Sequence, residues 1–210
     1  HCRCRRKPRL SPQSFFGVQA LSDKGCWIGD LWNRNKNGEV YAERLSIAKI
    51  TDDSGNLTHY VGVFSDITYM KEHEAALEKI ANNDALTGLP NRLLLSDRMS
   101  QALAQTERHH KLIAVCYLDL DGFKPINDQH GHKAGDQVLI EVAKRLQHGV
   151  RTGDTVSRLG GDEFVLLMLD IESIDELKHV IKRIIDSIAL PINLGDVTVS
   201  VSISVGITIY

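Results

Sequence analysis

No stretch of this 210-residue chain is apolar for long enough to cross a bilayer, which takes about 20 consecutive apolar residues, so no membrane helix is expected. Neither sign of charge dominates: 25 basic against 27 acidic side chains leave a net charge of −2. That balance excludes a global field that recruits nucleic acid or an anionic membrane, and any phosphate has to be met locally. Cysteine is sparse, with four in all. Cys2 and Cys4 form a lone CxC without the second pair a zinc site needs, and Cys116 reads as a small core residue in an apolar strand. This usage fits a reducing, cytoplasmic setting. A GxxxxGKS loop is missing, which argues against a P-loop GTPase. The chain opens on the basic run HCRCRRKPR, but Pro12, Gln13 and Ser14 interrupt any apolar stretch behind it, so a signal peptide is not expected. Residues 1–23 read as a disordered basic tail or the ragged edge of a longer chain.

What is present is an ordinary globular composition, 42% hydrophobic and 25% charged, over a length that suits one whole domain plus a fragment. Residues 24–67 read as three antiparallel strands, CWIGDLWNR, EVYAERLSIAKI and LTHYVGVFSDI, broken at Asn37-Gly38 and at Asp53-Ser54-Gly55. Three strands bury little alone, so this region needs a partner or belongs to a larger sheet. Residues 68–83 follow with high helix propensity. Met70, Leu77 and Ile80 lie near one face, which fits a plain linker and a short coiled-coil dimer seam equally well.

From residue 112 the order becomes informative. LIAVCYLDL is an apolar strand; a helix runs from about Ala134 to Gln147; TVSRL and EFVLLML flank a GGD turn as a hairpin. Ser173 and Glu176 form a capping box that opens a helix with Ile174, Leu177, Ile181, Ile184 and Ile188 on one face, ended by Pro191. VTVSVSISVGITI then alternates strictly, with Val197, Val199, Val201, Ile203 and Val205 on one side. Strand, helix, strand, strand, helix, strand is an α/β (α+β) pattern of the ferredoxin-like or palm kind, βαββαβ. Its first and third strands are neighbours at the sheet centre, so Asp119 and Asp162 should meet in space.

An acid at a strand mouth or on a glycine hairpin is usually only a solvated tip; the conjunction of several is what carries chemistry. Carboxylates brought together raise one another's pKa unless a cation neutralises them, and hard oxygen ligands suit Mg²⁺ shared with substrate phosphates. A nucleoside triphosphate is the substrate this implies. Gly160 and Gly161, having no Cβ, would let a nucleotide approach the backbone and permit positive φ at the turn. Lys124 lies close enough in sequence to address phosphate oxygens. Asn127, His132 and Asp136 are of the types that read a guanine, which offers a donor edge to a carboxylate and acceptors to an amide or imidazole.

The segments DALTGLPNR, LDLDGFKPINDQHGHKAGD and RLGGDEF resemble, in order and separation, the GGDEF domain of diguanylate cyclases, over residues 84–210. WNRNKNGEVY and THYVGVFSDIT resemble the closing strands of a PAS (PAC) sensor domain over residues 24–67. The resemblance implies condensation of two GTP to cyclic di-GMP with release of pyrophosphate, by a homodimer whose two domains face each other. It implies Asp119, Asp162 and the Leu120 carbonyl as ligands of Mg²⁺ or Mn²⁺, with Glu163 near a second metal and Asp162 deprotonating the attacking 3′-hydroxyl. Lys124 would steady phosphate charge, and Asn127, His132 and Asp136, with Gly160 and Gly161, would hold the nucleotide. Arg151 and Asp154, in RTGD, match an inhibitory product site by their position just before the GGDEF turn; on spacing alone the motif is weak, and a loop ion pair is the alternative. The helix at 68–83 would transmit a signal between the paired chains.

Two departures qualify the match. The sensor-like part lacks its first half, so no haem or flavin is expected. The family domain continues past the strand that ends near Tyr210, which puts turnover by this chain in question. Two non-catalytic alternatives follow: a cyclic di-GMP sensor working through Arg151 and Asp154, and an interaction domain tuned by GTP.

Overall fold

The computed structural model describes residues 24–109 and 111–210, divided into two compact units between Leu77 and Glu78. The expected basic tail and the CxC pair lie outside the described residues. In the first unit, β1 (Cys26–Arg34), β2 (Val40–Thr51) and β3 (Leu57–Asp66) form an antiparallel sheet in that order. The turns fall where the breakers stand. Gly38 and Gly55 both take positive φ, and the Asp52 carboxylate accepts from the Ser54 and Asn56 amides. The sheet is thinly covered: Trp32, Val63 and Phe64 are each more than 60% exposed. Helix α1 (Thr68–Asn82) buries none of its residues, leaving Met70, Leu77 and Ile80 open.

The second unit contains α2 (Arg92–His109), β4 (Leu112–Asp121), α3 (Phe123–His130), α4 (His132–Gly149), β5 (Thr155–Gly160), β6 (Glu163–Ile171), α5 (Ile174–Ile188), β7 (Ile192–Asn193), β8 (Thr198–Val199) and β9 (Ser202–Ile209). Its main sheet has the order β5-β6-β4-β9, all antiparallel, so the first and third strands are adjacent as the βαββαβ reading requires. Strand periodicity sorts the side chains into two layers. Ala114, Cys116, Leu118 and Leu120 of β4 point to the main core with Phe164, Leu166 and Met168 of β6, beneath α4 and α5. On the other face Ile113, Val165 and Leu167 pack under Leu95 and Ala102 of α2.

Three points differ from the sequence reading. Helix α3 was not foreseen, no element having been assigned between the strand ending at Leu120 and the helix from about Ala134. Proline is tolerated within the first helical turn, where its missing N–H has no intrahelical acceptor, and Gly122 and Gly131 at φ 82 supply the bends at either end. The long alternating segment at the C-terminal end is not one strand: Thr198–Val199 pairs with Ile192–Asn193 as a separate small hairpin, and β9 starts only at Ser202. Ile174 and Val197, assigned to buried faces, are 54% and 40% exposed, the first opening α5 and the second lying in the turn before β8. The capping box does form, with Ser173 Oγ accepting from the Glu176 amide and the Glu176 carboxylate reaching back to the Glu172 amide.

Candidate active site

The site grows from the register of two strands. Asp119 of β4 lies directly opposite Glu163, the first residue of β6, and directly opposed residues in an antiparallel pair share a face. Because Tyr117, Asp119 and Asp121 alternate with the buried Leu118 and Leu120, the acids fall on the face that α2 covers only farther back along the strands. Pairing with β6 stops at Asp119, while pairing with β9 runs on to Asp121 opposite Ser202. The main chain at Leu120 therefore has no β6 partner.

Gly160 and Gly161, at φ 143 and 53, make the turn that places Asp162 beside this pair. Nothing stands within 4 Å of where a Cβ would be at either glycine, so the requirement there is conformational and the surface above the turn is open.

The acids are near enough to act on one another's charge. The Asp119 carboxyl is held above its ordinary value, first by partial desolvation and then by the negative charges of Asp162, Asp121 and Glu163. Asp121 is otherwise engaged, accepting from the Ser202 and Ser204 hydroxyls at 3.0–3.2 Å. Among the described residues no three His, Cys, Asp or Glu side chains close a metal cage by themselves. A cation completed by one or two carboxylates, a main-chain carbonyl, water and substrate phosphates needs no such cage, so the donor set fits a hard divalent ion.

Other predicted residues fall into two groups. Lys124 and Asn127 ride on α3, and His132 and Asp136 on the first turns of α4, which packs against it. The Asn127 amide lies against the helix at Gly135, where a Cβ would overlap its Oδ1 and stand 2.9 Å from its Cγ. Arg151 and Asp154 belong elsewhere. They neighbour Leu169, six residues along β6 from Glu163 and so about 20 Å from the acidic turn.

The Asp154 side chain is only 2% exposed, and its oxygens accept from the Leu169 and Arg151 amides at 3.1 and 3.3 Å. In this conformation it is not free to meet a guanine edge. The Arg151 guanidinium, half-exposed, donates to the Leu169 carbonyl at 2.7 Å and borders a depression of about 370 Å³. A larger depression, about 660 Å³, lies between α4 and the β7–β8 hairpin and contains none of the predicted site residues.

Arg158 is the residue that sequence reading missed. Its guanidinium donates to both Asp84 oxygens at 2.9 and 3.0 Å and, from its other side, to the Gly161 carbonyl at 3.0 and 2.7 Å. It thereby ties the glycine turn to the loop before α2. Asp84 is held in place in turn by the Thr87 amide and hydroxyl. The available signal was an arginine two residues before the glycine pair, pointing toward a loop distant in sequence.

The split βαβ sheet of the second unit is the fold that this chain shares with solved GGDEF domains. Residues 81–210 match the family model described as diguanylate cyclase, GGDEF domain, and the chain belongs to that family. It is 46% identical over 134 residues to the bifunctional diguanylate cyclase/cyclic di-GMP phosphodiesterase MucR of Pseudomonas aeruginosa, covering 64% of this chain and 19% of that protein. With diguanylate cyclase DgcP of Escherichia coli it shares 35% identity over 194 residues, 92% of this chain and 56% of that one. This chain thus spans little more than half, or much less, of these relatives. Among solved structures, one comprising only the GGDEF domain of TpbB from Pseudomonas aeruginosa aligns at TM-score 0.59 and 43% identity, covering 61% of this chain and 75% of that one. The coiled coil and GGDEF domain of DgcB from Caulobacter crescentus, solved in complex with c-di-GMP, aligns at TM-score 0.63 and 25% identity, covering 69% and 77%.

Proposed function

We propose that the second unit condenses two GTP molecules into cyclic di-GMP, acting as a homodimer in which each domain presents one GTP. The carrying observation is the opposition of Asp119 and Glu163 beside the Gly160-Gly161 turn that presents Asp162. In each half-reaction the 3′-oxygen of one GTP bonds to the α-phosphorus of the other, the bond from that phosphorus to the bridging oxygen breaks, and pyrophosphate leaves. Asp162, at the exposed turn, takes the hydroxyl proton. Asp119, Asp162 and the Leu120 carbonyl would hold a divalent cation, Mg²⁺ or Mn²⁺, with Glu163 adjacent. That ion neutralises phosphate charge when bound. Lys124 adds a positive charge on the phosphates, while Asn127, His132 and Asp136 orient the guanine nucleotide so that reacting atoms are held in line.

The first unit is read as the closing strands of a PAS-type sensor. Helix α1, with no buried residue, is read as the seam between two copies and the transmitter of their relative pose. No described helix is long and apolar enough to cross a membrane, and a cytoplasmic, GTP-rich setting suits the chemistry. Arg151 is read as the phosphate contact of a product site, with Asp154 holding its loop. Incubation with GTP and Mg²⁺, followed by chromatography, tests the reading: cyclic di-GMP should accumulate with specific activity that rises with protein concentration. Asp162→Ala should fold normally and lose more than about a hundredfold in rate. Product within tenfold of the unaltered chain would remove Asp162 from the mechanism, and specific activity independent of concentration would remove the dimer.

A further inference from the structure

The mouth of β4 holds one acid to which no role above is given. Asp121 is the last residue of the strand; pairing with β6 has already stopped at Asp119, and only β9 continues beside it. Directly across from Asp121 is Ser202, and directly across from Asp119 is Ser204, so both hydroxyls rise on the face that carries the acids. Ser202 Oγ donates to Asp121 Oδ2 at 3.2 Å, and Ser204 Oγ donates to Oδ1 and Oδ2 at 3.0 and 3.1 Å. Ser204 thus gives its proton to the diagonal acid and not to the one it faces, which leaves the Asp119 oxygens free of it. Beyond Asp121 the chain turns at Gly122, φ 82, straight into α3 with Lys124 and Asn127.

We infer that Asp121 is a positioning residue: clasped by the Ser202 and Ser204 hydroxyls, it fixes the peptide plane that carries the Leu120 carbonyl. This rests on the reading of that carbonyl as a cation ligand. A side-chain ligand can change rotamer to meet an ion, but a main-chain oxygen moves only with its planar peptide unit, whose other end is the Asp121 amide and Cα. That unit lies between a stretch with a ladder on one side only and a glycine free at φ and ψ, so the backbone alone restrains it weakly. Hydrogen bonds to a carboxylate acceptor, from two residues of the neighbouring strand, supply the restraint. They also occupy the Asp121 oxygens, so this carboxylate does not swing in to compete with Asp119 and Asp162 for the ion. Partners of this kind, one step removed from the metal, are worth about 10–100-fold in metal affinity.

The test is Mn²⁺ binding to the full chain with a non-hydrolysable GTP analogue, followed by the electron paramagnetic resonance signal of free Mn²⁺. Wild type is compared with Asp119→Ala, Asp121→Ala, the serine pair changed together to alanine or to threonine, and the alanine pair combined with Asp121→Ala. Ser202 and Ser204 are exposed, so alanine there removes hydroxyls without opening the core, and thermal melts confirm folding. The alanine pair should bind Mn²⁺ about tenfold more weakly than wild type. Threonine keeps the hydroxyls and suits a strand, so that pair should return affinity to within about twofold. In the Asp121→Ala background, removing the hydroxyls should bring no further loss. Affinity within about twofold of wild type in the alanine pair overturns the inference even if the melting temperature falls, because a clasp that serves only the fold would behave that way. An equal loss in both backgrounds overturns it too, since the hydroxyls would then not act through Asp121. If wild type takes up no Mn²⁺, or Asp119→Ala binds it as tightly as wild type, the cation site itself fails and this inference with it.

Discussion

Replacing Arg158 by alanine should unfasten the glycine turn from the rest of the domain. Four hydrogen bonds disappear, two to Asp84 and two to the Gly161 carbonyl, all between 2.7 and 3.0 Å. The side chains of the pair are 10% and 20% exposed, so solvent screens them little, yet Asp84 keeps its bonds from Thr87. Removing one partner of a fully buried pair costs about 3–5 kcal/mol; partial exposure and the surviving Thr87 bonds bring the expectation here to about 2–3 kcal/mol. For a domain of this size that is a fall in melting temperature of about 6–15 °C. Both tryptophans, Trp27 and Trp32, lie in the first unit, so their fluorescence is blind to the event and calorimetry or far-ultraviolet circular dichroism must be used.

The pH dependence gives a second readout. Burial pushes the Asp84 carboxyl up, but the bonds from Thr87 and Arg158 outweigh it and hold it below its ordinary value. A depressed acid stabilises the fold above the unfolded-state pKa of about 3.9 and stops doing so as pH falls through the folded-state value. The gap between wild type and Arg158→Ala should therefore be full at neutral pH and narrow on acidification below about pH 4. Lysine at 158 should restore little, since a single ammonium cannot fork to Asp84 and Gly161 together. A melting temperature within about 1 °C of wild type at pH 7 would refute the claim that Arg158 braces the turn.

Gly135→Ala forces a Cβ into the Asn127 amide. The helix gains about 1 kcal/mol of propensity, so stability should change little while calorimetry shows GTP binding weakened by about tenfold or more. Unchanged affinity would remove Asn127 from the nucleotide site. Cys116, fully buried, has its thiol pushed up to about 11, by burial first and then by the Asp154 charge. At pH 8 it should resist maleimide while the exposed Cys26 reacts, as peptide mapping will show, and should label only on unfolding; comparable rates at the two would contradict the packing of β4.

The legible part of this fold was what periodicity and order encode. Alternation along β4 and β6 and the three-and-four spacing of α5 gave the βαββαβ pattern. Topology then brought Asp119 and the GGD turn together without any knowledge of side-chain direction. Illegible were features set by single residues acting at a distance. Helix α3 hid behind Pro125, because eight residues between two glycines have too little length for a periodic stripe to emerge. The break before β9 left no mark either: Val199, Val201 and Ile203 keep their alternate burial through a stretch where ladder pairing lapses, so the pattern outlives the strand.

Arg158 was hidden for a different reason, and it explains how the acidic cluster is tolerated. The four carboxylates gathered there, Asp119, Asp121, Asp162 and Glu163, repel one another, and a glycine turn, being free at φ and ψ, would be the first element to yield by swinging Asp162 away. The guanidinium sits behind that turn and not among the acids: it grips the Gly161 carbonyl and anchors on Asp84, which takes no part in the cluster. Its positive charge is spent on Asp84, so the cluster keeps its negative charge for a cation while the backbone that presents it is held. A sequence that offers only an arginine near a Gly-Gly-Asp-Glu turn suggests a counterion for the acids. The structure gives it the opposite task, restraining the turn against their repulsion, and for that reason Arg158→Ala and Asp162→Ala should differ in kind, the first lowering stability and the second leaving it intact.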